Sequence, residues 1–386
     1  MIYLDSAATS FRKPVAVGLA IERAMKTMSS PGRGGYEAAL LASDTLLECR
    51  LALQRLFQVS EPEGVVFTLN ATHALNIAIR SLVPPGGRAV ISGWEHNAVT
   101  RPLHALEAEV RVARGRLFDS AALLSDFADA LRDGADAAVC TQVSNVFGWA
   151  LPIPEIASLC QERGVPLIVD ASQGAGVLPL SCEGFSLAYA AMPGHKGLLG
   201  PQGTGVLLCG EGQAPVPLLQ GGTGSLSQEQ DMPDFLPDRL EAGTHNVPGI
   251  AGLLSGIRFV EEIGTDAIQQ HECALCRRAE DGLVQIPGME VFQGPEQMGV
   301  LSFRHREIPP ETLGEALSRR GFALRNGVRA RNGRRRRCLR WGMHSRWKRA
   351  RACAPNAGMW ANARPGCLPL RWRNENGFYR KLRIEL

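Results

Sequence analysis

The chain has 386 residues, 45% hydrophobic and 21% charged, which is the composition of a globular protein large enough for two domains and excludes a low-complexity or fibrous chain. No apolar run reaches the 18 or so residues of a membrane span, and the opening MIYLDSAATS has no basic region followed by an apolar one, so a cytoplasmic protein is expected. The net charge of +4 is the sum of two opposite parts: Arg329 to Leu386 holds 17 Lys and Arg against 2 acidic residues, and the first 328 residues hold 25 against 36. Ten cysteines scattered along such a chain are expected as reduced thiols, most of them small core residues.

From about Glu63 to Gly210 short β-rich runs alternate with helical ones: VVFTL then ATHALNIAIRSL, RAVIS then HNAVTRPLHALEAEV, AAVCTQVS then PEIASLCQERG, and PLIVDAS. This alternation predicts an α/β domain, a parallel sheet with helices on both faces. Ligands of such sheets lie beyond the carboxyl ends of the strands, so the residues that follow each strand are the candidates for function. In chain order these are Asn70, Thr72 and His73 in NATHALNIAI, His96 in SGWEHNAV, Asn145 in TQVSNVFG, Asp170 and Gln173 in PLIVDASQGAG, and His195 and Lys196 in AAMPGHKGLLG. Past Gly210 comes a glycine-rich stretch, LLQGGTGSLSQEQDMPDFLPDRLEAGTHN, whose length marks a functional loop. Helical periodicity returns near Pro248. Cys273 and Cys276 lie in a run of helical spacing from Ile257 to Val284 with no second ligand pair nearby, so they are expected to be ordinary helix residues, and no metal site is assigned. The expected organisation is a large domain over 15–255, a smaller α+β domain made of 1–14 with 256–328, and a basic tail over 329–386 that is disordered or poorly packed.

Taken singly, these residues are weak signals. A Gly-His-Lys-Gly loop is a phosphate nest or a tight turn. Asn70, Thr72 and His73 at a helix start suit a phosphate, because free amides and the helix dipole attract an anion, and they suit a simple cap equally well. Asp170 ends a hydrophobic strand, where a buried carboxylate needs a cationic partner such as a protonated pyridine nitrogen. His96 stands where an imidazole can lie flat on an aromatic cofactor. A lysine to trap an aldehyde, an acid for a ring nitrogen, a ring-stacking histidine and a phosphate-binding helix start together specify pyridoxal 5'-phosphate.

At this point a resemblance is plain. MIYLDSAATS, SPGRGGYEAA, NATHALNIAI, EHNAVTRPL, SNVFG, VDASQGAG, GHKGLLGPQGTGVL and RLEAGTHNVPGIAGL each resemble, in order, a motif of the class V aminotransferase family of fold type I pyridoxal-phosphate enzymes, and within it of the cysteine desulfurases. The similarity runs from residue 1 to about Gly327. It implies that Lys196 bonds the cofactor's aldehyde, that His195 and Thr72, with His73 beside it, hold the phosphate, and that Asp170 pairs with the pyridinium nitrogen. It further implies that Gln173 and Asn145 reach the ring's 3-oxygen, that His96 stacks on the ring, and that Thr223 in GGTGS reaches the phosphate of the other subunit of a homodimer. Arg325, in GFALRNG, falls where the family places the arginine that clamps the substrate carboxylate, a task suited to a bidentate guanidinium. The implied reaction turns L-cysteine into L-alanine and leaves sulfur on an enzyme thiol, from which a sulfur-acceptor protein would take it. Selenocysteine lysis and transamination are the alternatives within the family.

The resemblance stops at the thiol. Desulfurases of this kind carry the nucleophilic cysteine five residues beyond that arginine, usually followed by alanine; here the position is Ala330, and the thiols that follow, Cys338 and Cys353, do not match the spacing. The tail also holds four of the six tryptophans, Trp341, Trp347, Trp360 and Trp372. Arginine- and tryptophan-rich, acid-poor sequence that begins inside a motif is what a GC-rich gene yields when translated out of frame. Read one base earlier, the codons of Arg329-Ala330-Arg331 permit Cys-Ala from position 330, and those of Trp347 to Ala350 permit Leu-Glu-Thr-Gly. An out-of-frame tail is therefore the expectation. The rival reading is a nucleic-acid-binding arm on a non-catalytic protein, favoured by clustered arginines with interleaved aromatics and testable by steep salt dependence. Its abrupt start within a family motif speaks against it, and nucleic acid is not expected as a partner.

Overall fold

The computed structural model describes residues 1–32, 34–331, 334–342, 372–373 and 379–380, and side chains within 1–32 and 34–326. In chain order the N-terminal half comprises β1 (Ile2–Tyr3), α1 (Val15–Thr27), α2 (Glu37–Phe57), β2 (Val65–Thr68), α3 (Ala71–Leu82), β3 (Arg88–Ser92), α4 (Asn97–Ala105), β4 (Glu109–Ala113), α5 (Ser120–Ala130), β5 (Ala137–Thr141), α6 (Ile153–Glu162) and β6 (Leu167–Asp170). There follow β7 (Tyr189–Pro193), β8 (Gly205–Cys209), α7 (Val247–Ile263), α8 (Thr265–Leu283), β9 (Met289–Phe292), β10 (Val300–His305), α9 (Pro310–Arg319), β11 (Phe322–Ala323), β12 (Arg325–Arg331) and β13 (Arg334–Gly342). The helical run over Ile257–Val284 is divided at Gly264, where α7 gives way to α8.

A seven-stranded sheet ordered β2-β8-β7-β6-β5-β3-β4 forms the large domain. Its strands run parallel except β8, which is antiparallel to both β2 and β7. The strands are short apolar runs because both sheet faces are covered. Alternate residues go to opposite sides: Val65, Val90, Ala138 and Val169 join α2, α5, α6 and α7 in one core, while Val66, Ala89, Val139 and Ile168 join α3 and α4 in the other. This is the mainly parallel α/β architecture expected, with one strand reversed.

The smaller sheet is antiparallel throughout, in the order β12-β13-β10-β9. The N-terminal strand β1 pairs in parallel with β11, which ties the start of the chain to this second unit. β-Pairing continues past residue 328: Ala330 stands opposite Arg335, Cys338 opposite Gly327, and β13 pairs with β10 as far as Gly342. Farther on, Trp372–Arg373 pairs with Tyr379–Arg380. Cys353 lies outside the described residues. Among the described residues no helix is long and apolar enough to cross a membrane.

Candidate active site

Every strand of the large sheet except β8 points the same way, so the segments after β2, β3, β5, β6 and β7 all emerge at one edge. Those segments carry Asn70–His73, His96, Asn145, Asp170–Gln173 and His195–Lys196. The sheet therefore brings these residues to the same side, as ligand sites of doubly wound sheets require.

At the start of α3, Asn70 caps the helix by accepting the N–H of His73 on its side-chain oxygen (3.0 Å). The neighbouring first-turn amides have no intrahelical acceptor, and Thr72 is exposed there. His73 turns its Nδ1 back to accept the Leu69 N–H (3.3 Å), and burial lowers its pKa. His96 is itself a cap: its Nδ1 accepts the Ala98 N–H at 3.1 Å, which leaves the ring proton on Nε2 while the imidazole stays exposed at the sheet edge. Behind it the buried Glu95 accepts the Thr141 N–H (2.8 Å) and the Ser92 hydroxyl, fastening the end of β3 to that of β5.

Asp170 is 2% exposed. Its Oδ1 accepts the Ser172 N–H at 3.0 Å, and no Lys, Arg or His nitrogen among the described residues is within ion-pair distance of it. Gln173, also buried, donates its side-chain N–H to the Ala7 carbonyl at 2.9 Å, so the N-terminal segment lies against the site. The Asn145 loop is held from the other domain: Gln297 donates to the Phe147 carbonyl (2.8 Å), and Ser302 Oγ donates to the Val146 carbonyl. Gly148 is required in that loop, since its φ is 68° and a Cβ would stand 2.2 Å from the Val300 carbonyl.

The lysine loop packs directly on the segment after Asp170. A Cβ on Gly197 would lie 2.1 Å from the Ala175 carbonyl, so only glycine fits next to Lys196. His195 Nδ1 shares a hydrogen bond with Thr9 Oγ1 at 3.0 Å. Burial, then the positive charges of Lys196 and Lys13, lower the His195 pKa to about 4, so the ring is neutral at pH 7 and offers hydrogen bonds, not charge. The His195 carbonyl accepts from Ser10 Oγ (2.9 Å), Ser10 N (3.1 Å) and Lys13 Nζ (2.9 Å).

Two expected residues stand differently. Arg325 opens β12 and its guanidinium is paired with Asp5, with Nη2 and Nε at 3.1 and 3.2 Å from Oδ2. Thr223 lies in the loop after β8, where its hydroxyl shares a hydrogen bond with Ser225 (3.1 Å). Of the seven cysteines whose side chains are described, six are buried, and Cys273 is half-buried on α8. Burial raises these thiols, Cys160 and Cys276 to about 12, so none is a poised thiolate. Cys276 packs with Ala279 and Leu301, as an ordinary helix residue does.

Sequence reasoning missed Lys13, Ser10 and Thr9, although they adjoin the first motif. It also missed a buried cluster beside β2. There Glu241 accepts from Arg50 Nη1 (2.9 Å) and Nη2 and from the Phe67 N–H (2.6 Å), and pairs with His245 Nε2 (2.6 Å). Glu241 lies inside the motif RLEAGTHNVPGIAGL, but nothing in the sequence pairs it with Arg50.

Fold and site together define a class of enzymes. The family model described as aminotransferase class-V matches residues 2–343, and the chain belongs to that family. Among its relatives, a probable cysteine desulfurase of Methanothermobacter thermautotrophicus is 30% identical over 341 residues, 84% of either protein. The apo structure of a cysteine desulfurase from Thermococcus onnurineus NA1 superposes with a TM-score of 0.80 at 26% identity, covering 89% of this chain and 90% of that one. The cysteine desulfurase CsdA of Escherichia coli gives a TM-score of 0.73 at 25% identity over 84% of each chain.

Proposed function

We propose that the chain binds pyridoxal 5'-phosphate through Lys196 and has the active site of a cysteine desulfurase, converting L-cysteine to L-alanine with sulfur passed to a thiol. The observation that carries this reading is Asp170: a carboxylate 2% exposed, at the strand-end edge that also bears Lys196 and the α3 start, needs a cation facing it, and a ring N–H⁺ meets that need. When bound, the cofactor supplies an electron sink for the substrate's α-carbon. Asp170 would keep the ring nitrogen protonated, His96 would cover the ring face, and Asn145 and Gln173 would address the 3-oxygen. Thr72, His195 and the α3 amides would hold the phosphate, with His73 beside them. Lys196 would bond the cofactor's aldehyde and, as a free amine, would move the substrate's α-proton. Arg325 takes the substrate carboxylate in exchange for Asp5, one carboxylate for another.

Sulfur transfer requires a thiolate that attacks the substrate sulfur; the carbon–sulfur bond breaks, the thiol becomes a persulfide, and a proton on the β-carbon completes alanine. At the family position stands Ala330, in β12, and the described thiols are inert by burial. The tail from 329 is read as out of frame, which makes sulfur transfer by this chain very weak. The working unit is a homodimer in which the Thr223 loop reaches the partner's phosphate, and it acts in the cytoplasm, where reduced thiols persist. The test is cofactor binding: purified chain with added pyridoxal phosphate should develop a visible absorption band that Lys196→Ala abolishes. A colourless wild-type chain under saturating cofactor overturns the assignment.

A further inference from the structure

The peptide from which Lys196 projects is held by residues more than 180 positions away in sequence. Lys13 Nζ lies 2.9 Å from the His195 carbonyl and 2.6 Å from Ser10 Oγ, and Ser10 Oγ lies 3.0 Å from the Lys196 carbonyl. Ser10 is 2% exposed and Lys13 half-buried, so these donors act largely out of water. One ammonium thus links Ser10 to the carbonyl of the lysine-bearing peptide. Lysines on a loop surface are ordinarily solvated; this one has given up water to donate to two fixed oxygens.

From this geometry we infer that Lys13 is a positioning residue for Lys196, fixing the His195–Lys196 peptide and setting its own positive charge against the carbonyl that precedes Lys196. The inference rests on the pyridoxal-phosphate reading above. Two effects follow. Mechanically, the N-terminal segment clamps the loop, so that Lys196 is presented in one orientation; Thr9 adds to the grip through His195 Nδ1. Electrostatically, a neighbouring cation disfavours the protonated form of a nitrogen base. The titratable and charged groups on the facing loop are His195 and Lys196, and both lysines act on His195. On Lys13's own segment Asp5 is engaged by Arg325. Burial brings Lys13 itself down to about 8, so the charge is present at neutral pH and fades above it.

The experiment compares wild type, Lys13→Met and Lys13→Arg as full-length proteins loaded with pyridoxal phosphate. Three quantities are read: the pH midpoint of the cofactor's absorption change, the rate of cofactor release, and the melting temperature. Lys13→Met should raise the spectral midpoint by about half a unit or more, as removal of a nearby cation does, and should release cofactor about tenfold faster. Lys13→Arg should restore most of both. A midpoint and release rate unchanged in Lys13→Met overturn the inference, and so does a fall in melting temperature with the midpoint unmoved, which marks a merely structural lysine. If wild type itself shows no band, the cofactor reading has failed instead.

Discussion

Replacing Glu241 by Gln tests how the large domain supports the start of α3. Arg50 and Glu241 are 8% and 7% exposed, and the carboxylate accepts from the guanidinium, the Phe67 N–H and His245. Arg50 also donates to the Val65 carbonyl and stands 4.4 Å from the centre of the Phe67 ring. Glutamine keeps the shape and one acceptor oxygen but removes the charge, leaving a guanidinium buried without its counter-ion. Breaking a buried pair from one side costs about 3–5 kcal/mol, and the retained oxygen puts this change near the lower end, about 3 kcal/mol. Against a net stability of about 5–15 kcal/mol that is a large fraction. With a urea slope of about 3 kcal/mol/M the unfolding midpoint should fall by about 1 M. Adding Arg50→Met should recover part of the loss, because the double variant no longer buries a lone charge. Because Glu241 links α2 and β2 to the segment before α7, and β2 leads to the α3 start, cofactor affinity should fall as well. An urea midpoint for Glu241→Gln within about 0.3 M of wild type would show that the pair does not hold these elements together.

Asp170→Asn should retain some cofactor yet lose about a hundredfold in any turnover of cysteine, about 2.7 kcal/mol of barrier, measured as alanine release; equal turnover removes Asp170 from the chemistry. Cofactor-free protein should lose stability on acidification. The folded His195 titrates near 4 instead of 6.5, so between those values the unfolded chain binds the extra proton, and stability falls as pH drops through that window. Discounted for partial exposure the loss is on the order of 1–2 kcal/mol. Glu241, whose pKa His245 and Arg50 lower against the opposing effect of burial, adds a further loss below 4.5. Urea midpoints that stay level from pH 7 to 4 contradict both. For the tail, sulfide and alanine release should be nearly absent in the chain as written and in Cys338→Ser with Cys353→Ser, and present in an Ala330→Cys protein carrying the frame-restored sequence. Robust desulfuration by the unaltered chain that disappears with Cys353→Ser alone would make Cys353 the nucleophile.

The sequence by itself determined four strands of the large sheet, β2, β3, β5 and β6, the helices α3, α4 and α6 that alternate with them and the residues that follow. Strands β4, β7 and β8 were not marked, and the helical run through Val110 overran the end of α4 at Ala105 into β4. The signals that served are local: short continuous apolar runs mark strands buried on both faces, and a polar residue just beyond such a run needs no partner to be noticed. Asp170, Lys196, His96 and Asn145 were legible in this way, and knowing that parallel strands share a carboxyl edge sufficed to group them. The reversal of β8 was not legible, because an all-apolar strand looks the same in either direction. Nor were the pairings that hold the site: Asp5 on Arg325, Arg50 on Glu241, and Lys13 with Ser10 on the His195 carbonyl. Each joins charges or donors more than 180 residues apart that look like ordinary surface polarity in one dimension. Only the folded chain decides that they are withdrawn from water, and a polar group withdrawn from water must be matched by a partner that the tertiary structure alone supplies.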